Sequence, residues 1–274
     1  MEIKKVSAVC YSATGNTKAV TCAAAEAAAQ ALGVPFQFIS FSTRRDRETA
    51  CSFTETDLVF VGTPTYAGKM PNKLLPEFQE KLHGCGALAA ALVTFGNRSF
   101  DNALAELCSV LEGDAFHTLA GGAFACQHAF AAALAAGRPN AEDLEEARQF
   151  GRKTAEMAKT LDTIPAPVQV PGDASAPYYV PKGTDGKPAK FLKAKPKTDL
   201  SRCNHCGLCA SVCPMGSIDP EDVTSVPGIC IKCQACVRQC PHGAKYFDDP
   251  AFLSHQAMLS ENFLDPKKNE AYFA

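Results

Sequence analysis

Eight of the fourteen cysteines stand between positions 203 and 240, in one phrase written twice. Cys203-x-x-Cys206-x-x-Cys209-x-x-x-Cys213-Pro214 is followed by Cys230-x-x-Cys233-x-x-Cys236-x-x-x-Cys240-Pro241. Three thiolates at two-residue gaps wrap a short loop around three corners of a cubane. The fourth, in the helical turn that follows, points away and reaches a second cluster. The spacing therefore predicts two 4Fe–4S clusters, one on Cys203, Cys206, Cys209 and Cys240, the other on Cys230, Cys233, Cys236 and Cys213. Structural zinc usually closes a tetrahedron from paired C-x2-C knuckles, without a third cysteine at the same gap. Six further cysteines, at 10, 22, 51, 85, 108 and 126, have no regular spacing and read as reduced, buried small hydrophobes, which argues against a disulfide framework.

The stretch over 199–247 resembles the bacterial two-cluster ferredoxins. Gly207 after the second cysteine, and Pro214 and Pro241 after the fourth ones, fit that family; each proline stops a short helix. Small residues beside the cysteines (Gly207, Ala210, Ser211, Ala235) let backbone amides approach the inorganic sulfurs. Gly216-Ser217-Ile218 and Gly243-Ala244-Lys245 approximate the family's small residue followed by Ile or Val. Lys245 is placed to raise the second cluster's potential, but the expectation is that it is solvated.

A second constellation is Ser12-Ala13-Thr14-Gly15-Asn16-Thr17. It lacks the lysine of a Walker loop and the G-x-G-x-x-G of dinucleotide sites. Its hydroxyls, its glycine and the free amides of a helix start can cradle one phosphate dianion. A plain N-cap is the alternative. The elements around it decide its meaning. Apolar patterning predicts strands over 6–11, 36–41, 57–63, 87–95 and 117–124, and helices over 17–32, 71–82, 100–111 and 141–161. Repeated βα units imply a parallel sheet covered on both faces, with ligands bound outside the carboxyl ends of the strands.

Three loops lie at those ends. In its place after the first strand, S-x-T-G-x-T resembles the flavodoxin phosphate loop for flavin mononucleotide. That resemblance implies a doubly wound, five-stranded parallel α/β sheet, followed by the small α+β ferredoxin-like domain. It also assigns the other two loops. In Thr63-Pro64-Thr65-Tyr66-Ala67-Gly68-Lys69-Met70-Pro71, Pro64, Thr65 and Ala67 would lay backbone on the isoalloxazine, with Tyr66 as stacker. In Thr94-Phe95-Gly96-Asn97-Arg98-Ser99-Phe100-Asp101-Asn102, Gly96 and Asn97 would offer amides to the pyrimidine edge, Arg98 would stabilise charge on the reduced ring or lie on the surface, and Asp101 would cap the next helix. Residues 122–128 with Gly137-Arg138-Pro139-Asn140 look like the fifth-strand region of the anaerobe-type flavodoxin–ferredoxin fusions. His128 could supply a proton there, against packed or solvated alternatives.

The chain of 274 residues allows two domains, read as a flavodoxin-like FMN-binding domain over 1–162 and a two-cluster domain over 199–249. Between them, residues 163–198 hold seven prolines and form an extended connection, with Tyr178-Tyr179-Val180 and Phe191-Leu192 as apolar anchors. Residues 162–197 carry 6 basic and 3 acidic side chains, whereas residues 198–274 carry 6 and 9, so the linker is expected to lie on an acidic module. Residues 250–274 read as a helical tail. A net charge of −2 argues against nucleic acid as a partner and leaves no membrane patch. No signal peptide is visible in the run over 1–12, and the Ala-rich run 19–32 is too short and polar to cross a bilayer. The expected location is cytoplasmic. The parts together imply an electron carrier passing electrons between two 4Fe–4S clusters, FMN and a redox protein partner. The alternative is an FMN-dependent reductase of a quinone, nitro or disulfide compound supplied through the clusters.

Overall fold

Strand β3 (Asp57–Pro64) and strand β4 (Leu88–Phe95) are buried along almost their whole length, as their near-continuous apolar sequences require of central parallel strands. A computed structural model describes residues 2–274, so Met1 of the expected first domain lies outside the described residues. With β1 (Lys5–Cys10), β2 (Phe36–Ser40), β5 (His117–Ala125) and β6 (Glu270–Phe273) they form one sheet in the order β2-β1-β3-β4-β5-β6. The first five are parallel and their order, 2-1-3-4-5, is that of the flavodoxin-like doubly wound fold. It reverses direction between β1 and β3, which opens a crevice at their carboxyl ends.

Period-two alternation sends successive residues to opposite faces. Leu58, Phe60, Leu88 and Leu92 meet Val20 and Ala24 of α1 (Asn16–Leu32) and Phe150 of α4 (Ala141–Thr160). Val59, Val61, Ala89 and Val93 meet Phe78 of α2 (Leu75–Lys81) and Leu104 and Leu107 of α3 (Ala103–Gly113). Helices α1 and α4 touch so closely that a Cβ on Gly151 would run into the carbonyl oxygen of Ala24. Gly151→Ala is therefore expected to destabilise the chain by about 1–3 kcal/mol through overpacking. A denaturant midpoint measures it, and an unmoved midpoint would show that the helices part freely.

Helix boundaries differ from the sequence reading where a backbone constraint intervenes. Pro76 lies in the first turn of α2, the only place a helix accepts it, so the helix starts at Leu75 rather than at 71. Asp101 is left-handed, with φ 43°, so α3 cannot extend back to 100. Asp101 does not cap that helix either: Asn102 holds the cap position and the Asp101 carboxylate pairs with Arg98.

The cluster-bearing module contains two one-turn helices, α5 (Leu208–Ser211) and α6 (Ala235–Arg238), and a two-residue antiparallel ladder of 197–198 with 245–246. Its own core is small, centred on Ile218, Val223 and Cys236. The tail is helical only through α7 (Pro250–Asn262), which Asp249 caps by accepting from the Phe252 amide at 2.9 Å. Beyond it the chain crosses back, and β6 joins β5 antiparallel, with Tyr272 opposite Gly121. Buried Asn97 secures the crossing: Nδ2 donates to the carbonyls of Phe263 and Asp265 at 2.6 and 3.0 Å, and Oδ1 accepts from the Lys267 amide at 3.0 Å. The expected helical tail is thus a helix and then a sixth strand. Among the described residues, no helix is long and apolar enough to cross a membrane.

Candidate functional site

The eight clustered cysteines gather in two hollows, each taking three from one copy of the phrase and one from the other. Cys203, Cys206, Cys209 and Cys240 line the first; Cys230, Cys233, Cys236 and Cys213 line the second. This is the pairing the spacing predicts. The swap arises because α5 and α6 each carry the last cysteine of their phrase away from its own loop. Amides aim at the sulfurs: His205 at Cys203 Sγ (3.4 Å), Ser217 at Cys213 (3.3 Å), Lys232 at Cys230 (3.4 Å) and Ala244 at Cys240 (3.3 Å). Among the described residues, no three His, Cys, Asp or Glu side chains converge as a single ion requires. Four cysteines lining each hollow, with amides on their sulfurs, fit a multi-iron cluster.

The hollows differ in exposure. Cys206 of the first is exposed, whereas Cys233 and Cys236 of the second are buried, and burial pushes the Cys233 thiol up to about 12. Outer and inner are the natural names for them. Lys245, expected to be solvated beside the second cluster, is instead 3% exposed on the wall of the outer hollow, where Nζ donates to Thr198 Oγ1 at 2.7 Å and to the Val223 carbonyl.

A cavity of about 570 Å³ opens at the carboxyl ends of the strands, within the range of small-molecule and cofactor sites. Ala13, Thr14, Asn16, Thr17, Pro64, Thr65, Tyr66, Ala67, Thr94, Phe95, Gly96, Arg98 and His128 all line it, as the sequence reading places them. Ser12, Gly15, Asn97, Phe100 and Asp101 do not appear on its wall. Ser12 Oγ accepts from the Lys18 amide at 3.1 Å, Thr17 Oγ1 is paired with Thr94 Oγ1 at 2.7 Å, and Asn97 is spent on the tail. Gly15, at φ 96°, supplies the left-handed turn that starts α1. Within the described residues, the amides of Gly15, Asn16 and Thr17 find no acceptor, and Thr65 keeps a buried hydroxyl without a partner.

Two assigned roles change. Arg98 is paired with Asp101 and stacks 4.0 Å from the Tyr179 ring, so its charge is already matched and it holds the linker. His128 is neutral: burial, followed by the neighbouring charges of His255, Arg238 and Arg98, holds its imidazole down at about 3. Its Nδ1 accepts from the amides of Phe130 and Ala131, which leaves the proton on Nε2.

The rest of the wall escaped the sequence reading. The linker folds back as a strap that brings Tyr178, Tyr179, Pro181 and Phe191 to the cavity. Tyr178 Oη donates to the Met70 carbonyl at 3.0 Å, the Tyr179 amide to the Ala67 carbonyl at 2.8 Å, and buried Lys69 to the carbonyls of Ala174 and Ala176. Of the expected anchors, Val180 and Leu192 are exposed, Leu192 to 89%. Helix α7 adds His255 and Leu259. The inner cluster loop closes the cavity with Ile229, Cys230, Ile231, Lys232 and Cys233.

Residues 202–244 match the 4Fe-4S dicluster domain family. The chain fuses a flavodoxin-like fold to a 4Fe-4S dicluster domain. Among solved structures, a flavodoxin from the domain Archaea is similar at 21% identity and TM-score 0.40, covering 57% of this chain and 99% of its own. A flavodoxin of Streptococcus pneumonia TIGR4 is similar at 19% and 0.39, over 56% and 99%. Rubredoxin oxygen:oxidoreductase from the anaerobe Desulfovibrio gigas is similar at 16% and 0.41, over 58% of this chain and 37% of its own. No curated protein matches the chain. In this fusion the lining of the cavity fits a flavin with a single phosphate: the free amides of Asn16 and Thr17 at a helix start, and Tyr66 and Phe95 on the wall.

Proposed function

We propose that the chain is an electron-transfer flavoprotein, with FMN in the cavity and a 4Fe–4S cluster in each cysteine hollow. Electrons pass between clusters and flavin, and on to a separate redox protein. One observation carries this reading. Cys230 and Cys233, ligands of the inner hollow, stand on the same cavity wall as Thr14, Thr17, Tyr66 and Phe95. The two sites share Ile229, Cys230, Ile231, Lys232 and Cys233 as lining. A bound flavin supplies one- and two-electron chemistry, and a cluster one-electron chemistry. The free amides of Asn16 and Thr17 would hold the phosphate, and the strap would exclude water. Exposed Cys206 makes the outer hollow the side from which a partner's redox centre reaches the chain. Sharing one chain gives the two centres a high effective concentration for each other.

Anaerobic protein is expected to hold about eight iron and eight sulfide and to release FMN, identified by chromatography. On rapid mixing with a reduced redox protein, cluster and flavin absorbance should bleach in sequence, and Cys206→Ala should slow the flavin phase while leaving FMN content unchanged. Release of FAD, or a flavin phase indifferent to loss of the outer cluster, overturns the reading.

A further inference from the structure

Lys232 holds the same place in the second cysteine phrase that His205 holds in the first, directly before the second cysteine. Both residues are left-handed, Lys232 at φ 56° and His205 at φ 57°. In both, the amide donates to the sulfur of the phrase's first cysteine at 3.4 Å. The two loops share this backbone, so what differs is the side chain. That of His205 is exposed and makes no hydrogen bond among the described residues. That of Lys232 reaches back over its own loop. Its Nζ donates to the Cys230 carbonyl at 3.0 Å and, across the boundary between the modules, to the Leu192 carbonyl of the strap at 2.5 Å.

Lys232 lines both the inner hollow and the cavity, and no other lysine or arginine among the described residues does. Of the other two such cations on the cavity wall, Arg98 is paired with Asp101 and Lys73 is exposed. Lys232 has no ion pair among the described residues; its acceptors are carbonyls, so its charge stays available to whatever fills the two sites. We propose that the Lys232 ammonium is shared by the two redox centres: it raises the reduction potential of the inner cluster and of the flavin together, while clasping the strap over the cavity. Reduction adds negative charge to either centre, and a cation fixed beside both stabilises the reduced form of each. The attraction weakens with distance, so the outer cluster, whose hollow Lys232 does not line, feels it less. This is the part the sequence reading gave to Arg98. The inference rests on the carrier reading, which supplies the cluster and the flavin.

An anaerobic redox titration of the holoprotein tests it, reading the clusters by electron paramagnetic resonance and the flavin by visible absorbance. Wild type is compared with Lys232→Met, Lys232→Gln and Lys232→Arg at equal iron and flavin content. The inner wave is the one that survives in Cys206→Ala. In the Met and Gln variants the inner and flavin waves should both move to lower potential while the outer wave stays nearly still. In Lys232→Arg, which keeps the charge, both should lie near wild type. A lysine that served only as a clasp would leave every wave in place and merely speed flavin release in Lys232→Met; that result overturns the proposal. If Lys232→Met fails to load iron, unmoved waves in Lys232→Gln overturn it instead. A chain that takes up no FMN sinks the carrier reading, and the inner wave still tests the charge. Full loading with unmoved waves and normal flavin reduction sinks this inference alone.

Discussion

Cys233→Ala is expected to remove about half of the iron and to abolish the fast phase of flavin reduction by any reductant, small or large. The reason is position. Cys233 is at once a member of the inner tetrad and part of the wall of the flavin-sized cavity, so its loss breaks the step nearest the flavin. Loss of Cys206 should act differently, because the outer hollow faces solvent and a small reductant such as dithionite can still reach the inner one. The discriminating experiment mixes both variants rapidly with dithionite and with a reduced redox protein. Cys206→Ala should keep a fast flavin phase with dithionite and lose it with the protein donor, whereas Cys233→Ala should lose it with both. Equal behaviour of the two variants with dithionite would contradict an inner and outer order.

Lys69→Met is expected to destabilise the chain by about 3–5 kcal/mol and to speed flavin loss. Nζ of Lys69 lies 2.9 Å from Glu106 Oε1, with both side chains 8% exposed, and also donates to the Ala174 and Ala176 carbonyls of the strap at 2.8 and 2.9 Å. Removing the ammonium strands a buried carboxylate and frees two carbonyls, so stability and strap closure fail together. Glu106 also accepts from the Met70 amide at 2.7 Å, which fixes it where it cannot turn to solvent. Adding Glu106→Leu should restore much of the stability by removing the stranded charge, but not the slow flavin release, because the strap remains unheld. Thermal denaturation and the rate of flavin dissociation read the two effects. A single variant within about 1 kcal/mol of wild type would mean that this pair behaves as a solvated one.

What the sequence determined by itself was the chemistry that depends on spacing along the chain. Cysteine gaps of two and three residues set which thiolates face the same hollow, because one loop and one helical turn span too few bonds to be rearranged by distant packing. Buried apolar runs such as 58–61 likewise read directly as central parallel strands, and the loops that follow them had to meet at one end of the sheet. Four-residue β6 carries too little pattern to be read, and it exists only because Asn97 and Asn269 guide the tail to the free edge of β5. Lys245 looked like a surface lysine until the fold buried it against Thr198 and Val223. Arg98 looked available to a ligand, and Asp101 to the next helix, until they were found paired with each other. The closing of the cavity by the strap and the inner cluster loop was decided by tertiary structure alone. It brings Tyr66, Tyr178 and Cys233, residues more than 50 positions apart, onto the wall of one cavity, and no local pattern encodes a wall that only the docking of two modules creates.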